Sequence, residues 1–191
     1  MKKTPVLEIG EELVLNPATR KMLSQVIDAH NEDPEGTLAA LPWLKEDIEF
    51  SPQMADLLMN LELELTWDEI HFWAIQGKKD NTFHGFIGLG NDMHLAASAY
   101  NLGYWVRKSS RGKGISLTAV DEIFKWLSQR KDQALIELTV HPHNVAGLAT
   151  AKRICEKWNG LAIDGYIGVE IKGRTVPHLL NLIQLRRSDD E

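Results

Sequence analysis

A short basic turn with two glycines, residues 107–114, separates two stretches of different apolar periodicity. The apolar run before it, residues 102–106, is typical of a strand, and from Ile115 onward apolar residues recur at helical spacing. Such a junction exposes the unpaired N–H groups of a helix's first turn, where the helix dipole favours negative charge. Because Gly112 and Gly114 have no Cβ, a ligand can approach the backbone closely. The stretch therefore predicts an anion site, and phosphate is the anion that fits it best.

Two common phosphate motifs do not match this turn. A P-loop needs a glycine where this chain has Arg107, and the dinucleotide fingerprint needs a third glycine where it has Leu117. What remains is the pattern R-x-x-G-x-S, formed by Arg111, Gly114 and Ser116. By itself this pattern fits a surface turn that caps a helix equally well.

Composition indicates an ordinary globular protein. The 191 residues have a formal charge of −6, which argues against a general nucleic-acid binder because such proteins present a basic face. The single cysteine, Cys155, excludes an internal disulfide and fits a reducing compartment. No apolar run could span a bilayer, and the first residues lack the apolar core of a signal peptide. We therefore expect a cytoplasmic protein that binds neither nucleic acid nor membrane.

Hydrophobic periodicity predicts one α+β domain over residues 1–191, without internal repeats or a linker. Strands are predicted over residues 6–15 (a strand or hairpin), 72–76, 82–90, 134–140, 162–171 and 176–185. Helices are predicted over residues 20–30, from 51 towards 65, from 115, and over 145–158, with Thr19 and Asn144 as N-caps. Residues 31–36, rich in Asn, Asp, Pro and Gly, are predicted to be a turn.

This order of elements resembles the GNAT acetyltransferase superfamily over nearly the whole chain, and the R-x-x-G-x-S turn resembles its acyl-CoA pyrophosphate turn. Five short segments also resemble the ribosomal-protein N-acetyltransferases, which modify the N-terminal amine of Ser or Ala. They are LPW (41–43), LGYWV (102–106), RGKGI (111–115), HPHN (141–144) and NGLAIDG (159–165). The resemblance implies a mixed, mostly antiparallel, seven-stranded sheet flanked by helices, with central strands splayed to admit acyl-CoA. It also implies direct transfer of acetyl from acetyl-CoA to an amine.

The resemblance further implies a cofactor-binding set. Its members are Val106 and Arg107, whose backbone groups would meet the pantetheine amides, then Arg111, Gly112, Lys113, Gly114, Ile115 and Ser116, whose N–H groups would hold the pyrophosphate, and Asn144, beside the thiol arm. It implies that Glu170 is the base that deprotonates the amine, with apolar neighbours on its strand that would raise its pKa. A solvated strand position is the alternative for Glu170. The branch carries a Ser, the proposed acid for the departing thiolate, where this chain has Gly147, so the acid stays open.

Other candidate residues have structural alternatives. His141 and His143 have the spacing of metal ligands, but the sequence places no third ligand near them, and we expect no metal. Trp43 and Trp105 are candidate walls of an acceptor groove. Cys155 falls on an apolar helix face and is expected in the core.

Three functions remain open at this stage. The first is acetylation of the N-terminal amine of a protein, ribosomal or similar. The second is acetylation of a small amine such as a polyamine, an amino sugar or an amino acid analogue. The third is a non-catalytic acyl-CoA-binding module. The first two would share the fold and the cofactor turn, so the sequence does not settle the acceptor, and it leaves a homodimer open.

Overall fold

The computed structural model describes residues 4–41, 43–64 and 69–187. Its strands are β1 (Leu7–Ile9), β2 (Leu13–Pro17), β3 (His71–Gly77), β4 (Phe83–Gly90), β5 (Tyr100–Val106), β6 (Gln133–Val140), β7 (Leu161–Ala162), β8 (Ile167–Ile171) and β9 (Arg174–Arg186). Its helices are α1 (Leu23–Asn31), α2 (Pro34–Ala40), α3 (Phe50–Glu64), α4 (Ile115–Ser128) and α5 (Val145–Trp158). The predicted helix end at Leu65 and Pro42 of the LPW segment lie outside the described residues.

The sheet has the strand order β1-β2-β3-β4-β5-β6-β9-β7, and β8 pairs with β9 off this path. β5 and β6 are parallel, whereas β1–β2, β2–β3, β6–β9, β7–β9 and β8–β9 are antiparallel. The predicted α+β class and the mixed, mostly antiparallel sheet flanked by helices are thus confirmed.

The predicted count of seven strands was wrong, because the described residues form nine. The strand predicted over residues 162–171 is divided into β7 and β8. Between them the chain turns at Asp164 and Gly165, and Gly165 adopts a φ of 91°, which an extended strand does not allow. Residues 6–15, predicted as a strand or hairpin, form the β1–β2 hairpin, which turns through Gly10 at a φ of 53°.

The described residues contain one α-helix more than the sequence predicted. Residues 34–40 form α2 where we expected a turn up to Gly36. The Asp33 side chain accepts a hydrogen bond from the Gly36 N–H, and Pro34 occupies the first helical turn, where a missing N–H costs nothing. The residues that predicted a turn are therefore the start signal of a short helix.

The described residues group into two compact units, Met1–Gly88 with Tyr104–Ala119 and Leu89–Gly103 with Val120–Glu191. Strands β4 and β5 and helix α4 contribute residues to both units. The assignment of residues 1–191 to a single domain stays a prediction. No helix in the described ranges is long and apolar enough to cross a membrane.

The first unit has an aromatic and aliphatic core. Its buried members come from α1, α3, β3, β4 and β5 and include Val26, Met54, Leu58, Phe83, Phe86 and Trp105. Phe83 and Phe86 meet edge to face, with ring centroids 4.8 Å apart, a favoured aromatic geometry. This core fixes the end of β5, from which the predicted phosphate turn departs.

The second unit is built on β6. Its parallel ladder with β5 consists of two pairs, Tyr100 with Ile136 and Asn101 with Glu137, although β6 continues to Val140. On its other side β6 pairs with β9 along its whole length. A parallel ladder that stops after two pairs agrees with the predicted splay of the central strands.

Glu137 is a fully buried carboxylate on β6. It accepts hydrogen bonds from the N–H groups of His94 and Leu95 at 2.8 and 2.7 Å and from the Ser98 hydroxyl at 2.7 Å, and its Oε2 lies 2.9 Å from His94 Nδ1. Burial raises the pKa of Glu137, but these hydrogen bonds outweigh it and hold the pKa below its usual value. The carboxylate therefore fixes residues 94–98, the segment that leads into β5.

Candidate functional site

The predicted phosphate turn has the expected strand–turn–helix form. β5 ends at Val106, a 3-10 turn covers Lys108–Ser110, and α4 begins at Ile115. Gly112 and Gly114 adopt φ angles of 74° and 73°, in the left-handed region that glycine occupies without steric cost. The two left-handed glycines flank Lys113 and direct the chain into the first turn of α4.

A run of backbone N–H groups at this turn has no protein partner. The first hydrogen bond of α4 runs from the Thr118 N–H to the Gly114 carbonyl, at 3.0 Å. Among the described residues, none accepts a hydrogen bond from the N–H groups of residues 112–117. A Cβ added to Gly112 or to Gly114 would meet no atom within 4 Å, so the backbone there is open. Open, unpaired donors at the positive end of a helix form an anion site.

Glu32, in the α1–α2 connection, anchors the turn at residues 107–114 through hydrogen bonds. Its carboxylate accepts hydrogen bonds from both the Nε and the Nη2 of Arg107, and from the N–H and hydroxyl of Ser109, each at 3.1 Å. The Arg107 guanidinium also donates to the Phe83 carbonyl at 2.9 Å. The hydrogen bond from Arg107 is the main reason that the pKa of Glu32 falls to about 2.

Asp33 makes a second anchor. Its carboxylate accepts a hydrogen bond from Arg111 Nη1 at 2.5 Å, while Arg111 Nε donates to the Val106 carbonyl at 3.0 Å. The bond from Arg111 holds the pKa of Asp33 below its usual value. Lys113, in contrast, has no ion-pair partner in the described part of the chain, so its charge remains available to an anion.

Several predicted cofactor groups are already used within the protein. The Arg107 N–H donates to the His84 carbonyl at 2.9 Å, and the Arg111 N–H to the Lys108 carbonyl at 3.2 Å. The free run of donors therefore begins at Gly112 and not at Arg111. The roles of Val106, Arg107 and Arg111 in binding a cofactor stay predictions, and the structure gives both arginine side chains a second task, that of holding the turn in place.

The second candidate region, in the other unit, follows β6. Asn144 caps α5 as predicted, because its Oδ1 accepts the Gly147 N–H at 2.9 Å. A Cβ at Gly147 would lie 2.6 Å from Asn144 Nδ2 and 3.0 Å from Val140 Cγ1. The residue that the related branch carries there therefore cannot be accommodated unless Asn144 or Val140 moves. The packing around residue 147 therefore favours glycine at this position.

Three histidines meet beside this cap. The His141 ring lies with its centroid 5.4 Å from that of His143 and 5.3 Å from that of His178, the latter nearly perpendicular at 81°. His178 comes from β9, where the pairing of Val140 with Leu179 brings it opposite the end of β6. Sequence analysis considered His141 and His143 but missed His178, because only the β6–β9 register brings it near. No group of metal-ligating side chains is found in the described ranges.

Glu170 lies on β8, opposite Thr175 of β9. Its side chain is exposed, and its carboxylate accepts a hydrogen bond from the Thr175 hydroxyl. Of its strand neighbours, Ile167, Val169 and Ile171 are half-buried on the other face. This is the solvated strand position that the sequence left as the alternative, and the catalytic role of Glu170 stays a prediction.

The remaining candidates divide between surface and core. Trp43 is half exposed and remains available to an acceptor. Trp105 is 2% exposed and belongs to the core of the first unit, so it cannot form the wall of an open groove. Cys155 is half-buried on α5, and burial raises the pKa of its thiol.

Comparison with known proteins decides the family. The model of the acetyltransferase (GNAT) domain family matches residues 12–154, three quarters of the sequence. The chain belongs to the GNAT acetyltransferase family. The predicted family is therefore confirmed, and with it the prediction that the protein is an N-acetyltransferase. A comparison with curated proteins finds no match.

Solved structures of other acetyltransferases have the same fold. One, which modifies the N-terminal serine of the 50S ribosomal protein L7/L12 in Salmonella typhimurium, is 14% identical with a TM-score of 0.75, covering 97% of this GNAT chain and 100% of its own. The ribosomal-protein-S5-alanine acetyltransferase of Vibrio fischeri is 16% identical with a TM-score of 0.73, covering 98% and 99%. The microcin C7 self-immunity acetyltransferase MccE, in complex with acetyl-CoA and AMP, is 13% identical with a TM-score of 0.72, covering 91% and 93%. At these identities the likeness is one of fold.

Proposed function

We propose that this GNAT protein transfers acetyl from acetyl-CoA to the N-terminal amine of a ribosomal protein. The observation that carries the proposal is the open run of unpaired N–H groups at residues 112–117, flanked by two left-handed glycines. A pyrophosphate matches this arrangement because it presents several anionic oxygens to several donors at once. The acceptor is proposed from the structural neighbours that modify ribosomal N-termini, and such an acceptor would place the protein in the cytoplasm.

The proposed cofactor contacts are those that the family resemblance implies. The N–H groups of Gly112 to Ser116 hold the pyrophosphate, and the Lys113 ammonium adds a positive charge. The Asn144 side chain, whose Oδ1 caps α5, is the proposed contact of the thiol arm. The helix cap fixes the amide orientation, so Asn144 is preorganised for the cofactor at no extra entropic cost.

The chemistry is a direct attack of the amine on the thioester carbon. An ammonium group is not a nucleophile, so a base must remove a proton before attack. With Gly147 in the place of the branch's Ser, this position has no side-chain acid, and the departing thiolate takes its proton from water. Glu170 is the base that the resemblance offers, but a solvated carboxylate is a weaker base than a neutral imidazole.

A small amine remains the second acceptor class. The microcin C7 self-immunity acetyltransferase, which is not described as a ribosomal-protein enzyme, shares this fold at a TM-score of 0.72, close to the 0.75 and 0.73 of the two ribosomal-protein enzymes. Fold similarity therefore does not identify the acceptor. Both acceptors would use the same phosphate turn, because specificity in such folds comes from the site grafted on them.

Intact-mass spectrometry separates these acceptors. The protein is incubated with acetyl-CoA and either dissociated ribosomal proteins or a panel of polyamines, amino sugars and amino acid analogues. A gain of one acetyl group on the N-terminal peptide of a ribosomal protein is the expected result. Acetylation confined to the small amines would support the second acceptor class. Coenzyme A binding by calorimetry without turnover on either panel would leave only a binding module.

A further inference from the structure

The histidine cluster beside the α5 cap, made of His141, His143 and His178, has a fixed pattern of donors and acceptors. The His143 N–H points at His141 Nδ1, 3.2 Å away. An N–H can only donate, so His141 Nδ1 carries a lone pair and the ring's proton is on Nε2. Protonation of Nδ1 would bring two N–H groups face to face. Burial, together with the nearby His178 and His143, accordingly lowers the pKa of His141.

His178 has the opposite tautomer. Its Nδ1 lies 3.2 Å from the Val176 carbonyl oxygen, which can only accept, so Nδ1 carries the proton. The lone pair of a neutral His178 is therefore on Nε2, and this atom has no hydrogen-bond partner within the described ranges. His178 is 7% exposed, so its ring is held by packing as well as by the bond to Val176. It is an oriented imidazole with one free basic nitrogen.

The neighbours of the His178 ring are histidines and one apolar side chain. His141 faces it from the β6 exit, and His143 lies on the far side of His141. Ile167, its partner on β8, is apolar. Glu170 is three residues further along β8, about 10 Å away at the rise of a strand, and is bound by Thr175. Burial and the two neighbouring histidines lower the pKa of His141, so a proton is disfavoured on the ring that packs against His178.

We infer that His178 is the general base of the reaction and that His141 is the neighbour that keeps it available. The inference rests on the proposed function, since it needs an amine acceptor and a thioester donor. Its basis is geometric: the His178 ring packs against that of His141, which follows β6 and stands three residues before Asn144, the residue proposed to lie beside the thiol arm. His178 is then a catalytic residue and His141 a positioning residue.

The proton balance of this step is complete. The acceptor ammonium gives one proton to His178 Nε2, which later releases it to solvent. The freed amine lone pair forms the C–N bond, and the C–S electron pair leaves on sulfur. The second ammonium proton leaves the nitrogen after attack and ends on the thiolate through water. The sum is one acetylated amine, one free thiol and one proton in solution, without any oxidant or metal.

The test compares His178→Gln with the wild type and with His143→Gln, a matched control in the same cluster whose side chain is exposed. We expect His178→Gln to lower kcat by about 100-fold, the usual contribution of a general base, while the calorimetric Kd for coenzyme A stays within about twofold. The acidic limb of the wild-type pH–rate profile should disappear. His143→Gln should retain both the rate and the limb. Glu170→Gln, at the base that the resemblance implies, tests the alternative assignment. Added imidazole should restore part of the rate to His178→Ala.

The wild-type protein offers a second test that does not depend on how well His178→Gln folds. The chain has seven histidines, and the imidazole NMR signal of His178 is identified as the one that remains in every single Gln variant of the other six. The limb of the wild-type kcat/KM profile should then coincide with the titration of the signal of His178. A limb that follows another group would overturn the inference.

The outcomes separate the inference from the function it rests on. If the wild type acetylates an amine and His178→Gln does so at the same rate with the same pH profile, only the role of His178 is refuted. If Glu170→Gln lowers the rate as much as His178→Gln does, the base would be Glu170. If the wild type binds coenzyme A but acetylates neither panel, the proposed function fails, and the base has no reaction to serve.

Discussion

The phosphate turn and the β6 exit differ in the chemical groups that they present, which are backbone amides at the turn and side chains at the β6 exit. At the turn the proposed ligand-binding groups are backbone amides and the Lys113 ammonium, and other side chains hold the amides in place, as Glu32 does through Arg107 and Ser109. At the β6 exit the proposed functional groups are side chains, and hydrogen bonds with the backbone set the tautomers of His141 and His178. Binding of a constant cofactor can rest on amides that every residue has. Proton transfer needs particular side chains.

The largest expected effect on this contrast comes from Gly114→Glu. A carboxylate would occupy the space in which the pyrophosphate is proposed to lie, at a φ of 73°. Like charges in contact cost several kcal/mol, so affinity for coenzyme A should fall by about 100-fold or more. Calorimetry measures the affinity, and Gly114→Ala is the control, because it imposes the backbone strain without the charge. Equal losses in both variants would show that strain and not anion repulsion is responsible.

Glu32→Gln tests whether the turn depends on its anchor. The guanidinium of Arg107 would lose its carboxylate while remaining largely buried, which should cost about 2 kcal/mol of unfolding free energy. We expect affinity for coenzyme A to fall by about fivefold to tenfold, because the N–H groups would no longer be preorganised. Urea unfolding and calorimetry give the two quantities. Glu35→Gln, nearby on α2, should change neither. Full affinity in Glu32→Gln would mean that the turn holds its shape without help.

Acid should weaken the same anchor in a defined pH window. The pKa of Glu32 is lowered from 4.5 to about 2 in the folded protein, so its contribution is complete above the unfolded value and is lost as pH falls from about 4.5 to about 2. After discounting for partial exposure we expect about 2 kcal/mol from this group. Unfolding free energies of the wild type and of Glu32→Gln should therefore converge on acidification. Parallel curves over this range would contradict the assignment.

Asn144→Ala should have the smallest effect on stability. Loss of an N-cap bond costs about 1 kcal/mol, and Asn144→Asp, which retains a capping oxygen, should lose less. If Asn144 also lies beside the thiol arm, both variants should lower kcat, because neither has an amide. Chemical unfolding and steady-state kinetics measure the two effects. A normal rate in Asn144→Ala would reduce the residue to a cap.

Local signals in the sequence predicted much of the fold. Asn144 was predicted to cap the helix over residues 145–158, and the structure has α5 with that cap and those bounds, since a cap acts within the first turn of the helix. The two glycines of the phosphate turn were recognisable for the same reason. The strand predicted over residues 162–171 was wrong because alternation alone did not reveal the left-handed turn at Gly165.

The rest depended on long-range contacts. Glu32 is 75 residues from the arginine it holds, and His178 approaches His141 only through the register of β6 with β9. Glu32 and Asp33, just before Pro34, are in sequence terms a signal for a helix start. Only a search for acidic partners of the basic turn could have suggested that they hold it. Nothing in a single sequence gives a strand register of that kind.

A binding site made of main-chain amides has a consequence for how the sequences of such proteins diverge. The proposed binding groups at residues 112–117 are main-chain amides, so apart from Lys113 the side chains there can change provided that the two positive-φ positions stay small and open. Selection on the proposed nucleotide binding would then act on conformation and leave little record in the sequence. The Salmonella enzyme shares this fold at a TM-score of 0.75 with 14% identity. Distant members of such a lineage are therefore better traced through the shape of one loop than through the residues that line it.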